Sequence, residues 1–393
     1  MKRSINSGER GQMILIAGLL IAVLLVGLAV VVNSAIYIEN VSTRDTGGSS
    51  GALADDIETK ERLAKSMQGA NYYSDTAGYG DRRERIERNV STWNRQQMAS
   101  SARNGRLASS QVAAMQNGTR VSQDEYGNFM PAEESVLDKV TTLVLPEFRI
   151  DPLGLGDKTN WIITNQTSVR AFEMTVDRTE LAEKNPTLLA ALINPLDAVL
   201  TGSTVFWVET DTNPGDNEFE RVYLLEDGNN VSATVVSFDG GTGTVEGECS
   251  ARGTNVTIQL TAGKLMGEDG PVDCPVLNSV IIDGQQNVYF AGGDEIKGTY
   301  RFIVDKPEDR FREDLENKYG TFLDGVLDAL VDLLLALLGG SLEDDDIYHD
   351  NPSSGHPYTT TAVYNTSVEM TYQTDRMQLT RNLTVAPESS GVP

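Results

Sequence analysis

The chain has 393 residues, with 57 acidic against 32 basic side chains and a formal net charge of −25. That length holds two domains of ordinary size, and that charge argues against nucleic acid as a partner. With only His349, His356, Cys249 and Cys274 to draw on, the chain is poorly equipped for Ser-His-Asp or Cys-His catalysis or for a zinc site.

The first element is apolar. Met13 to Val32 is twenty residues without a charge. A helix of that length crosses roughly 30 Å, the thickness of a bilayer core. Lys2, Arg3 and Arg10 precede it against the single acid Glu9. Positive flanks stay cytoplasmic, so the N-terminus lies inside and the bulk of the chain outside, with the lipid bilayer as first partner. Asn33-Ser34-Ala35 lacks the small-residue pattern of signal-peptide cleavage.

Arg10-Gly11-Gln12 stands directly against this run. The arrangement resembles the class III signal of archaeal type IV pilins and archaellins. The resemblance implies cleavage between Gly11 and Gln12, with the hydrophobic helix retained. It also implies assembly with further copies or other pilin-like subunits through that helix. Two departures stand against it. Ile16 occupies the position where bacterial pilins carry Glu, and the Ser-Pro start of many haloarchaeal adhesion pilins is missing. The competing reading is an uncleaved signal anchor.

A Gly-Ser break, residues 47–51, follows. From Ala52 to about Met115 the composition favours helix. Leu53 and Ile57, then Ile86, Val90 and Trp93, fall at helical spacing. Asn71 to Gly80, NYYSDTAGYG, interrupts the pattern, so two helices are expected, as a stalk or hairpin.

Charge changes beyond this point. Residues 118–393 hold 18 basic against 46 acidic side chains, and residues 51–117 hold 10 against 8. Dispersed acidity of this kind destabilises a compact domain unless salt screens it. In this respect the chain resembles a haloarchaeal surface protein.

The remainder is strand-like. Phe172, Met174 and Val176 alternate, as do Val222 and Leu224, then Val256, Ile258 and Leu260. Val280 to Ile282, Val288 to Phe290 and Tyr300 to Val304 are further short runs, separated by Gly-, Asn- and Asp-rich turns. Val368, Met370 and Tyr372 face Met377, Leu379 and Leu383 as a hairpin. Two helices interrupt the strands. One starts at Asn185-Pro186. The other, residues 321–338, has Asp324, Asp328 and Asp332 on one face and is read as a surface helix.

Cys249 and Cys274 lie on the external side, where disulfides persist. A disulfide between Cys249 and Cys274 is expected, with two separate buried thiols as the alternative. Sequons occur at Asn89, Asn117, Asn165, Asn230, Asn255, Asn365 and Asn382, and at the membrane-proximal Asn40. Asp344, Asp345, Asp346, His349 and Asp350 could hold a hard cation, but the spacing is not that of an EF-hand and the run reads as a solvated loop. No metal or cofactor is expected.

The sequence therefore reads as α+β: a cytoplasmic leader (1–11), a transmembrane helix and extension (12–46), a helical stalk (47–117) and an acidic, antiparallel β-sandwich-like extracellular domain (118–393). The expected function is a non-enzymatic, pilin-like or accessory subunit of an archaeal surface appendage. The alternative is an extracellular ligand- or partner-binding domain on an uncleaved anchor. A membrane-tethered hydrolase comes third.

Overall fold

The computed structural model describes residues 58–103, 106–132, 161–193, 205–213, 218–239, 242–281, 284–326, 347–349, 352, 356–373 and 378–387. The leader, the apolar run and the tripeptide Arg10-Gly11-Gln12 lie outside the described residues, as do Asp328, Asp332, Asp344 to Asp346 and Asp350. Among the described residues no helix is long and apolar enough to cross a membrane. The chain divides into two units, residues 1–61 and 62–393. The second holds all the sheet structure described here.

Two helices come first. Helix α1 covers residues 58–71, and α2 is Tyr79–Arg103. Leu63, Met67 and Ala70 make the buried stripe of α1, and Arg82, Ile86 and Val90 that of α2. Each stripe keeps helical spacing, so each helix has one face to bury. Trp93, expected in the α2 stripe, is half-buried. On the opposite side of α2, Arg83–Glu87 and Glu84–Arg88 form exposed i, i+4 pairs.

The strands are β1 (Leu107–Asn128), β2 (Trp161–Thr167), β3 (Val169–Asp177), β4 (Trp207–Asp211), β5 (Phe219–Asp227), β6 (Asn230–Asp239), β7 (Thr242–Arg252), β8 (Asn255–Gln259), β9 (Lys264–Gly267), β10 (Gly270–Asp273), β11 (Gln286–Ala291), β12 (Lys297–Val304), β13 (Tyr358–Gln373) and β14 (Gln378–Val385). Helix α3 is Pro186–Leu192 and α4 is Glu308–Val326. Two antiparallel sheets result. One runs β10-β9-β8-β3-β12-β1-β13-β14, the other β2-β11-β4-β5-β6-β7.

Period-2 side chains of the two sheets meet in one core. Phe172, Met174 and Val176 join Val222, Leu224, Val256, Ile258, Val288, Phe290, Tyr300 and Phe302 there. At its centre the Phe129, Phe206, Phe290 and Tyr300 rings pack edge-on and stacked, with centroids 4.9–5.5 Å apart. Such pairs add to the burial of the rings themselves. The far face of β5 is buried too. Phe219, Tyr223 and Leu225 pack with Leu192, Val205, Val236 and Phe238. Asn185 starts α3 as expected, its Oδ1 accepting from the Leu188 N–H at 2.9 Å.

Three expectations are corrected. Helix does not extend to Met115, because Leu107–Asn128 is a single strand. Its Ala, Ser and Gln content suits a helix, but pairing with the Thr-rich β13 overrides propensity. The described residues of the region 47–117 therefore supply two helices and half of β1. The later helix begins at Glu308, not residue 321. Its charged first turns hide Phe311 and Leu315, which enter the core one turn apart, and Glu308 and Asp309 suit the positive helix end. Val280 and Ile281 are buried but lie outside the strands. They follow a 3-10 turn, Pro275–Ser279, started by Pro. The β13–β14 hairpin forms as expected, with Val368 facing Leu383 and Tyr372 facing Leu379; Met370 faces Arg381 instead of an apolar partner, and Met377 lies outside the described residues.

Candidate functional site

The most built polar arrangement is where the helical pair meets the eight-stranded sheet. Leu63, Met67, Ala70, Ile86 and Val90 pack on Val363, Val368, Met370 and Leu383. The turn between the helices is then clamped. Arg82, on the α2 stripe, donates through Nη1 to the carbonyls of Ala70 (2.9 Å) and Asn71 (2.6 Å), and through Nη2 to that of Ser74 (2.8 Å). The Ala70 and Asn71 carbonyls end α1, where the negative pole of the helix favours a cation, and the Ser74 carbonyl lies in the turn beyond. Burial, with the neighbouring Arg120 charge adding, pushes Arg82 down to about 10, still protonated at neutral pH.

Arg120, on β1, closes the clamp from the sheet. Its Nη1 reaches the same Asn71 carbonyl at 2.9 Å, and its Nη2 pairs with Asp75. The Tyr358 hydroxyl accepts from Arg120 at 3.5 Å and donates to Asp124. Tyr72 lies between two guanidiniums, Arg301 at 4.5 Å and Arg120 at 5.2 Å from its ring centre. Burial holds the Tyr72 phenol above its ordinary range against the pull of Arg301. Arg301 is itself paired with Glu173.

Asn71 does most with least. Its amide donates to the Val363 carbonyl at 2.9 Å and accepts from the Val363 N–H at 2.8 Å. The β1–β13 register shifts there: Gln116 faces Asn365 and Asn117 faces Val363, leaving Tyr364 as the extra residue of a bulge. The Asn71 side chain thus fills the place that a neighbouring backbone would take. Gly118 is required at the same spot, since a Cβ there would meet the Val304 carbonyl at 2.4 Å.

A buried ion pair, Arg221–Glu209 at 2.8 Å, lies on the far face of the six-stranded sheet. Trp207, Phe219 and Phe238 each stand 4.9 Å from its guanidinium. Tyr223 accepts from Arg221 and donates to the Leu192 carbonyl, both at 3.2 Å.

The residues singled out from sequence are scattered. Cys249 on β7 and Cys274 after β10 form a disulfide, Cα atoms 5.8 Å apart. It ties an end strand of each sheet to the other. Asn89, Asn255 and Asn382 are exposed, and Asn117, Asn165, Asn230 and Asn365 are half-buried. The His349 and His356 rings stand 5.6 Å apart. Among the described residues no three His, Cys, Asp or Glu side chains are grouped to hold a metal.

Residues 7–128 resemble a family of unknown function, DUF7261. No curated protein matches the chain. The DUF7261 match takes in the apolar run, α1, α2, the clamp residues Asn71, Asp75, Arg82, Arg120 and Asp124, and all of β1. It stops before β2. The clamp was missed in the sequence because residues 71–80 read only as a break. One signal was present: Arg82 falls in line with Ile86 and Val90 at four-residue spacing, a cation at the head of an apolar stripe.

Proposed function

We propose that the chain is a single-span, externally displayed subunit of pilin-like type. Its N-terminal helix lies in the membrane, and its acidic sandwich faces an outside medium rich in salt. The observation that carries the external placement is the Cys249–Cys274 disulfide, which belongs to an oxidising compartment. The uncharged run Met13–Val32 and its basic flank support the anchor. The Arg10-Gly11-Gln12 junction supports processing. The DUF7261 match supports treating anchor, helical pair and β1 as one module. On this reading the clamp keeps the helical pair on the sheet while the anchor helix engages other subunits.

Intact mass of the chain extracted from its own membranes tests this. A mature chain beginning at Gln12 is expected, and Gly11→Trp should leave the leader attached. A chain that keeps Met1 or Lys2 overturns the pilin-like reading in favour of an uncleaved, signal-anchored binding domain. Protease added to whole cells should digest the sandwich, and full protection would overturn the external placement.

A further inference from the structure

Edge strands expose unpaired backbone groups and are blunted by shortness, bulges, charge, Pro or cover. The two sheets have four edges, β10, β14, β2 and β7. Three are managed. β10 is four residues long and contains Pro271. β7 shifts register against β6 between Val235 and Val236, carries the exposed acids Glu246 and Glu248, and is tied down by Cys249. Beside β2, Asn165 donates to the Asp314 carbonyl of α4 at 3.2 Å, and Lys306 donates to the Asn165 carbonyl at 3.0 Å.

The fourth, β14, shows only one of these devices among the described residues, the charge of Arg381. It is eight residues, QLTRNLTV, without Pro, Gly or an acid. Its register with β13 is unbroken from Gln378 to Val385, and Leu379 is 40% exposed. A second copy of the strand can be set against this edge. An antiparallel second copy that keeps like faces together, centred on Asn382, sets Leu379 against Val385 and Arg381 against Leu383.

At that centre stands a sequon, Asn382-Leu383-Thr384. Strand alternation puts Asn382 and Thr384 on one exposed face and turns Leu383 into the cluster beneath the helices. Three other sequons are committed elsewhere. Asn165 is bonded to α4, Asn365 to Gln116 at 2.6 Å, and Asn89 to Ser66 at 3.0 Å.

We propose that Asn382 carries an N-linked glycan that guards the β14 edge against strand pairing with a second copy. The inference rests on the external placement proposed above. A bulky, solvated sugar at the centre of the pairing site keeps another strand from closing on it. Self-association is thereby left to the N-terminal helix.

The test uses the full chain purified from the cells that make it, with two variants. Thr384→Ala removes the sequon and leaves Asn382 in place, and Thr384→Ser keeps it. Peptide mass mapping should find sugar on Asn382 in the parent and in Thr384→Ser. Light scattering on size-separated protein in one detergent and salt should show the Thr384→Ala species at twice the parent mass. Hydrogen exchange should show newly protected amides in β14. Asn382→Gln should behave as Thr384→Ala does, which separates loss of sugar from damage at Thr384. An unmodified Asn382 overturns the proposal, as does a Thr384→Ala chain of parental mass and exchange. Sugar on Asn255 with Asn382 bare overturns it while leaving the external placement intact. Protease protection on whole cells, with every sequon bare, removes both.

Discussion

Asn71→Ala isolates the clamp. Asn71 is fully buried, and its amide makes both hydrogen bonds available to the Val363 backbone in the bulge. Alanine removes a donor and an acceptor together and leaves an N–H and a C=O without partners. Each such group costs about 1–3 kcal/mol when buried. Since the two share one site, their costs do not add fully, and a loss of about 2–4 kcal/mol is expected. That is a large part of the 5–15 kcal/mol typical of a domain. The Asn71 carbonyl, which takes both guanidiniums, is kept, so Arg82 and Arg120 stay paired. The loss should thus fall on the helical pair and β13. Asn71→Asp keeps an acceptor for the Val363 N–H but sets a second oxygen against the Val363 carbonyl, so it too should destabilise. The assay is denaturant unfolding of the full chain at one salt concentration, followed by hydrogen exchange. Peptides from α1, α2 and residues 358–373 should exchange faster, and those from β5 and β6 should not. An Asn71→Ala chain within about 0.5 kcal/mol of the parent, the size of an ordinary surface change, would refute the clamp.

Three further outcomes follow from the same structure. Reducing Cys249–Cys274, or replacing both by Ser, opens a loop with a sequence separation of 25. Chain entropy puts the loss near 3.5 kcal/mol, and an unchanged denaturant midpoint after reduction would count against it. The Glu220 carboxyl is held above its ordinary range by burial, opposed by the Ser279 hydroxyl and reinforced by Glu246. A raised carboxyl stabilises the fold only while protonated, so its ionised form costs stability at neutral pH. Glu220→Gln should therefore raise the melting temperature at pH 7, with the gain vanishing as pH falls into the carboxyl range; a gain that persists there would refute the assignment. Burial also raises the phenols of Tyr72, Tyr223, Tyr300, Tyr358 and Tyr364, and Tyr126, bonded to Asp177, is pushed up to about 12. Folded values above the ordinary 10 mean stability that is complete below pH 10 and lost as pH rises beyond it. Phenolate absorbance should thus lag behind that of the unfolded chain, and coincident titrations would contradict the packing.

The sandwich was legible because its signals are local. Alternation in Phe172-Met174-Val176 or Val256-Ile258, with Gly-rich turns between, needs only a few consecutive residues to be seen. The 185–192 helix announced itself through Asn185 and Pro186. The clamp depends on residues far apart in the chain: Asn71 meets Val363, Arg120 meets Asp75, and Tyr358 meets Asp124. No window of sequence contains these pairs. Charge misled in a different way. The sign of the chain changes near residue 117, and that is a natural place to divide stalk from sandwich. Charge distribution reports on solvent and partners, and bears little on where strands begin. β1 passes through that point without a break, its first half pairing with residues 365–373 and its second with β12 and residues 358–363. Cutting at 117/118 would strip residues 363–373 of β13 of their β1 partner and part the helical pair from the β13 and β14 residues it packs on. The acidic sandwich and the near-neutral helices are thus joined through β1 as well as through β13 and β14, and a mechanical load on the helices would pass into the eight-stranded sheet through Arg120, the Asn71–Val363 bonds and the β1 backbone.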